Sequence, residues 1–175
     1  MPQANAIRRV VITGIGAVSP LGLNAESTWT AALAGKSCVG KITLFDPVDC
    51  PVQFAAEVKG FDVTRLGGPF HPTPEDVITQ AANSKEAMRV GRYVHLGLAA
   101  GLEAYGDSGL DAIRSKIDPE RMAINIGAGI GGLPEIEAVH SEFLAKGYRR
   151  ITPFFIPQVI ANMVSGQLSI LLGLQ

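Results

Sequence analysis

The chain is poor in the residues that mark most dedicated chemistries. Among 175 residues there are two cysteines, Cys38 and Cys50, and three histidines, His71, His95 and His140. Without a CxxC pair or a local histidine cluster, neither a zinc site nor a disulfide framework is expected, and a reducing, cytoplasmic compartment is. Charge of one sign is also missing: 15 Lys plus Arg stand against 16 Asp plus Glu, for a net charge of -1. A chain so balanced offers no global positive field for nucleic acid and no like-charge block that would favour disorder. Long apolar runs are absent too. The longest candidate, Met163 to Leu174, is interrupted by Ser165, Gln167 and Ser169 and falls short of the roughly 18 residues needed to cross a bilayer. Arg8 and Arg9 before Val10–Val18 mimic the start of a secretion signal, but two glycines and Pro20 break the stretch.

What is present is a hydrophobic fraction of 47%, ample for a globular core. The β-branched run from Arg9 to Gly14 reads as a buried strand feeding a turn at Gly14–Gly22. Asn24 then reads as an N-cap for a helix with Trp29, Ala32 and Leu33 on one face, stopped by Gly35. From about 36 to 83 the chain is loop-rich and broken by proline and glycine, with a short strand expected within Val52–Val58. Ser84 predicts the start of a long helix to about Tyr105, whose small residues Gly97, Ala100 and Gly101 predict close packing. Met122–Ile126 reads as a second buried strand, followed by Gly127-Ala128-Gly129-Ile130-Gly131-Gly132. Pro134 then opens a helix that is closed by Gly147, with Ile136, Val139, Phe143 and Leu144 facing inward. A last helix is expected from Pro157 to about Leu172, apolar almost all round and therefore buried, with Asn162 needing a hydrogen-bond partner.

Few of these residues suggest chemistry. Gly127, Gly129 and Gly132 meet the GxGxxG pattern between a predicted strand and a predicted helix. The acidic residue that a nicotinamide site requires about 20 positions on is missing, and a tight turn packing strand against helix explains the glycines as well. Lys85, Arg89 and Arg92 follow i, i+4, i+7 spacing and form a basic stripe, either a solvated face or a docking patch for an acidic partner. Phe154 and Phe155, bracketed by Pro153 and Pro157, sit on a stiff loop, either as core or as the wall of a tunnel or interface. Neither cysteine has a nearby base, so no nucleophile constellation can be assembled.

Three motifs in order resemble one family. Arg8-Arg9-Val10-Val11-Ile12-Thr13-Gly14-Ile15-Gly16 with Ser19-Pro20-Leu21-Gly22 is similar to its opening strand and turn. Gly127-Ala128-Gly129-Ile130-Gly131-Gly132 is similar to its glycine loop, and Ile151 to Pro157, with Asn162-Met163 and Gly166, to its dimer-side loop and helix. The family is the β-ketoacyl-acyl-carrier-protein synthases, and within it the synthase II type, and the resemblance covers most of the chain.

The resemblance implies an α/β fold: the first half of a thiolase-like α/β/α/β/α layered sandwich, truncated, with residues 1–175 as the N-terminal part of one synthase domain. It implies decarboxylative condensation of malonyl-carrier with an acyl thioester by the full-length protein, in fatty acid elongation. The nucleophilic cysteine would lie just beyond Gln175, and two histidines and a lysine further on, so this chain alone would be inactive. By the same resemblance Ile130 lines and gates the acyl pocket, while Phe155 and Ile160 reach into the pocket of a partner subunit. Lys85 and Arg89 match basic positions that receive the acyl carrier protein. Met88 stands where another basic residue is common, and Gly91 where the family usually has Asp. The expected partners are acyl carrier protein, acyl and malonyl thioesters and, at full length, a second copy of the chain. No metal, organic cofactor, nucleic acid or membrane is expected. A catalytically inactive chain-length-factor-like partner of a polyketide synthase shares these features, and a nicotinamide-binding module is a third class.

Overall fold

A computed structural model describes residues 9–63 and 89–174. The first helix, α1 (Ala25–Leu33), starts where the sequence places it: Asn24 caps it by accepting from the Ser27 amide, and Ser27 returns a bond to the Asn24 amide. It ends at Ala34, and Gly35 takes a positive φ of 62°. The face that carries Trp29 and Leu33 is exposed, and Ala31 is the residue that α1 buries.

The loop-rich stretch contains one antiparallel pair, β1 (Val39–Lys41) with β2 (Phe54–Ala56), in the register Val39 to Ala56 and Lys41 to Phe54. The strand expected within Val52–Val58 is β2. Residues 64–83, the remainder of the loop-rich excursion, lie outside the described residues.

The centre of the molecule is α2 (Arg92–Asp107), which packs along α5 (Met163–Leu172). Val94, Leu98, Ala99, Leu102 and Tyr105 of α2 and Val164, Leu168 and Leu172 of α5 form one buried cluster. The buried residues of α5 recur every four positions, so a single face is covered and Ile170 is left exposed. Close approach depends on the small residues the sequence pointed to. A β-carbon at Gly97 would collide with the Val164 side chain, and one at Gly101 would lie 2.5 Å from Leu168 Cδ1.

Two expected strands do not form. Residues 9–18 and 122–128 are extended without strand pairing, and Val10 is 93% exposed. A strand needs a hydrogen-bonded neighbour, and here two donors near the end of the first segment go to α2 instead: Ile15 N–H donates to Asp107 Oδ2 (2.9 Å) and Ala17 N–H to Glu103 Oε2 (2.9 Å). Gly14 and Gly16 lie so close to the α2 backbone that a β-carbon on either would strike the carbonyl of Ala104 or Ala100. In the second segment, Ile124 and Ile126 pack on the α2–α5 cluster, and the Ile126 N–H donates to Ser165 Oγ (3.2 Å).

The remaining helices also differ from expectation. The long helix does not run through Arg89: residues 89–91 form a turn, and Gly91 is the N-cap of α2. The expected start at Ser84 lies outside the described residues. Helix α3 (Leu133–Lys146) begins with proline in its first turn and is closed by Gly147, as read from sequence, but it buries no residue, and Phe143 and Leu144 are exposed. The last helix is two: a short α4 (Phe155–Val159) and α5, broken at residues 160–162. Asn162 is exposed at the start of α5, so the expected burial demand on its side chain does not arise.

Candidate functional site

The candidate pocket residues lie on the glycine loop, on α4 and in the break after it, which meet at the N-terminal end of α2. Ile130 belongs to the glycine loop, where Gly131 has a φ of 83° and Gly132 caps α3. Only glycine fits easily at that φ, and a β-carbon there would also strike the Val159 carbonyl. Gly132 N–H donates to that same carbonyl (3.2 Å). The loop bearing Ile130 is thereby seated against the end of α4, which bears Phe155 and leads to Ile160. The Ile130 side chain is 67% exposed, Ile160 is 38% exposed and Phe155 is half-buried.

Three contacts bind α4 and its C-terminal turn to the start of α2. The Arg89 guanidinium lies over the Phe154 ring, 5.1 Å from its centroid. A β-carbon on Gly91 would fall 2.5 Å from the Gln158 carbonyl oxygen. The Tyr93 hydroxyl donates to the Ile160 carbonyl, and burial followed by the nearby Glu135 charge raises the Tyr93 pKa, keeping the phenol protonated as that bond requires.

Glu135 completes the junction. Gly91 has no side chain with which to cap α2, and the Arg92 N–H donates instead to Glu135 Oε1 (3.0 Å). A carboxylate from α3 thus satisfies an N-terminal donor of α2 and complements its positive end. Sequence reasoning singled out neither Glu135 nor the Tyr93 hydroxyl. Glu135 follows Pro134 in a first helical turn, where acidic residues are common, and its use by another helix leaves no local pattern.

The basic stripe is not continuous on one helix. Arg89 precedes α2, whereas Arg92 starts it and turns back to the loop region, donating through Nη2 to the Val58 carbonyl (3.1 Å) and lying 5.8 Å from the Phe61 ring centroid. Lys85, the other proposed docking residue, lies outside the described residues, as do Met88 and His71. Cys38 and Cys50 are free and half-buried, and His140 is exposed.

Open cavities also lie elsewhere among the described residues. One of about 560 Å³ separates α1 from α2, lined by Ile15, Trp29 and Ala32 with the carboxylates of Glu103 and Asp107. Those carboxylates already accept backbone donors, Glu103 from both Ala17 and Ala25. A second, of about 400 Å³, includes Cys38, Glu57 and Lys59. There Glu57 accepts from the Thr43 hydroxyl (2.6 Å), the Thr43 N–H (2.8 Å) and the Leu44 N–H (3.1 Å), with Lys59 3.7 Å away. The Thr43 bonds are the main reason its pKa falls to about 2. Among the described residues no group of three or more His, Cys, Asp or Glu is placed to hold a metal ion. Nor is any helix among them long and apolar enough to cross a membrane.

Comparison with known proteins adds the family to this geometry. The chain is 40% identical over 168 residues to 3-oxoacyl-[acyl-carrier-protein] synthase 2 of Vibrio cholerae, covering 96% of this chain and 36% of that protein. The chain therefore spans little more than a third of its relative's length. Its fold matches a β-ketoacyl synthase from Burkholderia phymatum with a TM-score of 0.71 at 24% identity, over 96% of this chain and 38% of that one. The ishigamide ketosynthase/chain length factor matches with a TM-score of 0.67 at 24% identity, over 97% of this chain and 38% of that one. These likenesses establish the fold as that of the N-terminal part of the layered synthases, although the described residues pair only one two-stranded sheet. Residues 7–175 match the model of the β-ketoacyl synthase N-terminal domain, and the chain belongs to that family.

Proposed function

We propose that the whole protein of which these residues form part is a 3-oxoacyl-acyl-carrier-protein synthase acting in fatty acid elongation in the cytoplasm. The observation that carries this reading is the family match across residues 7–175, joined to the 40% identity with a synthase of that name. In the proposed reaction an acyl group passes from its carrier to a cysteine thiol beyond Gln175. Malonyl-carrier then loses CO2, and the resulting carbanion attacks the acyl thioester, forming a carbon–carbon bond as the bond to the cysteine sulfur breaks. The thiolate regains its proton, and the β-ketoacyl product leaves on its carrier. Two histidines, also beyond Gln175, serve the decarboxylation, and an oxyanion hole stabilises the developing negative charge.

The present chain supplies surfaces rather than the nucleophile, and alone it is inactive. Ile130 lines the acyl pocket, and Phe155 and Ile160 reach into the pocket of a partner subunit, a reading supported by the exposed Ile130 and Ile160 side chains. Arg89, with Lys85, receives the acidic carrier protein, supported by the exposed position of Arg89 beside α4. Homodimerisation is supported by the apolar side chains left exposed on α3 and α4, among them Leu133, Phe143, Leu144 and Ile156.

The test is the acyl-chain profile of the protein expressed from its whole gene. With malonyl- and acyl-carrier proteins as substrates it forms β-ketoacyl product, and Ile130→Phe shortens the longest chain accepted. An unchanged profile would remove Ile130 from the pocket. The likeness to the ishigamide ketosynthase/chain length factor favours a second reading, an inactive partner. That reading predicts no product until a separate ketosynthase is added.

A further inference from the structure

Ile160 lies in the break between α4 and α5, where its backbone is extended (φ -74°, ψ 133°). Because it lies outside both helices, its orientation depends on what holds its peptide groups. Its N–H donates to Ile156 (3.1 Å), and its carbonyl accepts from the Met163 N–H at the start of α5 (3.2 Å). The same carbonyl accepts from the Tyr93 hydroxyl, which reaches it from a different element. This bond ties the break laterally to the first turn of α2, beside the tight contact of Gly91 on Gln158. Arg89 over Phe154 holds the other end of α4.

We infer that Tyr93 is a positioning residue for acyl-chain selection: its hydroxyl, by holding the Ile160 carbonyl, fixes how the Ile160 wall stands in the acyl pocket it enters. The inference rests on the reading that Ile160 reaches into the acyl pocket of a partner subunit. Loss of the hydroxyl leaves the Ile160 carbonyl its Met163 partner, so the fold persists while the lateral restraint goes. The wall then yields to longer acyl chains.

The experiment compares Tyr93→Phe with the parent, both expressed from the whole gene, by kcat/KM for acyl-carrier substrates of increasing chain length. The ratio of long-chain to short-chain kcat/KM should rise about threefold or more, the scale of one modest hydrogen bond. The exposed Tyr148, changed to Phe, serves as a control and keeps the parent ratio. A purely structural role would lower kcat/KM by one common factor at every chain length, and that result overturns the inference. Gly91→Ala is the second variant: its φ of -77° accepts alanine, so the added methyl acts only by pressing on Gln158 and Glu135. It too must change the ratio, and it decides the matter if Tyr93→Phe fails to fold. If the parent makes product and these variants share its profile, the positioning role is wrong and the function stands. If the parent makes no product, the proposed function fails first.

Discussion

Glu103 is the residue on which the first quarter of the chain depends. It is only 8% exposed, and its two carboxylate oxygens accept from Ala17 N–H (2.9 Å) and Ala25 N–H (2.8 Å). One α2 side chain therefore holds both the extended opening segment and the start of α1. Glu103→Ala leaves two partly buried donors unpaired and should cost about 2–3 kcal/mol in denaturant unfolding. Glu103→Gln keeps one acceptor oxygen and should recover part of that loss. Glu57 makes a prediction about acid stability. Its pKa falls from 4.5 to about 2 on folding, so the stabilisation it lends is complete above pH 4.5 and vanishes as pH drops toward 2. Thr43→Val removes the largest cause of the shift. Acid titrations of the two proteins should diverge above pH 4.5 and converge near pH 2, and parallel curves would show that the Thr43 bonds do not stabilise the fold. Neither carboxylate was legible in the sequence. Each binds across a gap in the chain, Glu103 over 78 and 86 positions, and no local spacing records such a contact.

Elements were legible where their determinants are local. The Asn24 cap, Pro134 and Gly147 mark real helix ends, and Gly97, Ala100 and Gly101 announced the close approach of α2 to its neighbours. The packing makes a direct prediction. Gly101→Val places two methyl groups where Leu168 already sits and should destabilise by about 1–3 kcal/mol in thermal or denaturant melts. A variant as stable as the parent would mean that α5 moves freely away from α2. Elements were misread where their formation depends on partners. The runs at Arg9–Gly14 and Met122–Ile126 have strand composition, yet strand pairing needs another backbone beside them. The break at residues 160–162 carries no proline or glycine, and it coincides with the contacts made to Val159 and Ile160 by the glycine loop and Tyr93. The outward face of α3 follows the same rule: periodicity identifies an apolar face and does not say what covers it.

At the scale of the molecule the core is small and the apolar surface large. Buried side chains concentrate between α2 and α5, while Val10, Ile12, Trp29, Leu144 and Ile156 are exposed. Exposed apolar surface of this kind marks faces that meet other protein, and this chain spans 36% of its Vibrio cholerae relative. The family was legible because three motifs keep their order along the sequence. The proposed roles of Ile130 and Ile160 rest on that resemblance alone, since the two lie 30 positions apart and only the fold brings their segments together. The proposed condensing activity belongs to the whole protein and not to these residues alone. Its most direct test is CO2 release coupled to β-ketoacyl-carrier formation, measured in parallel for this 175-residue chain and for the product of the whole gene. Stoichiometric CO2 and product are expected from the whole protein and neither from the chain alone. Condensation by the 175-residue chain, or its absence from the whole protein, would contradict the proposal.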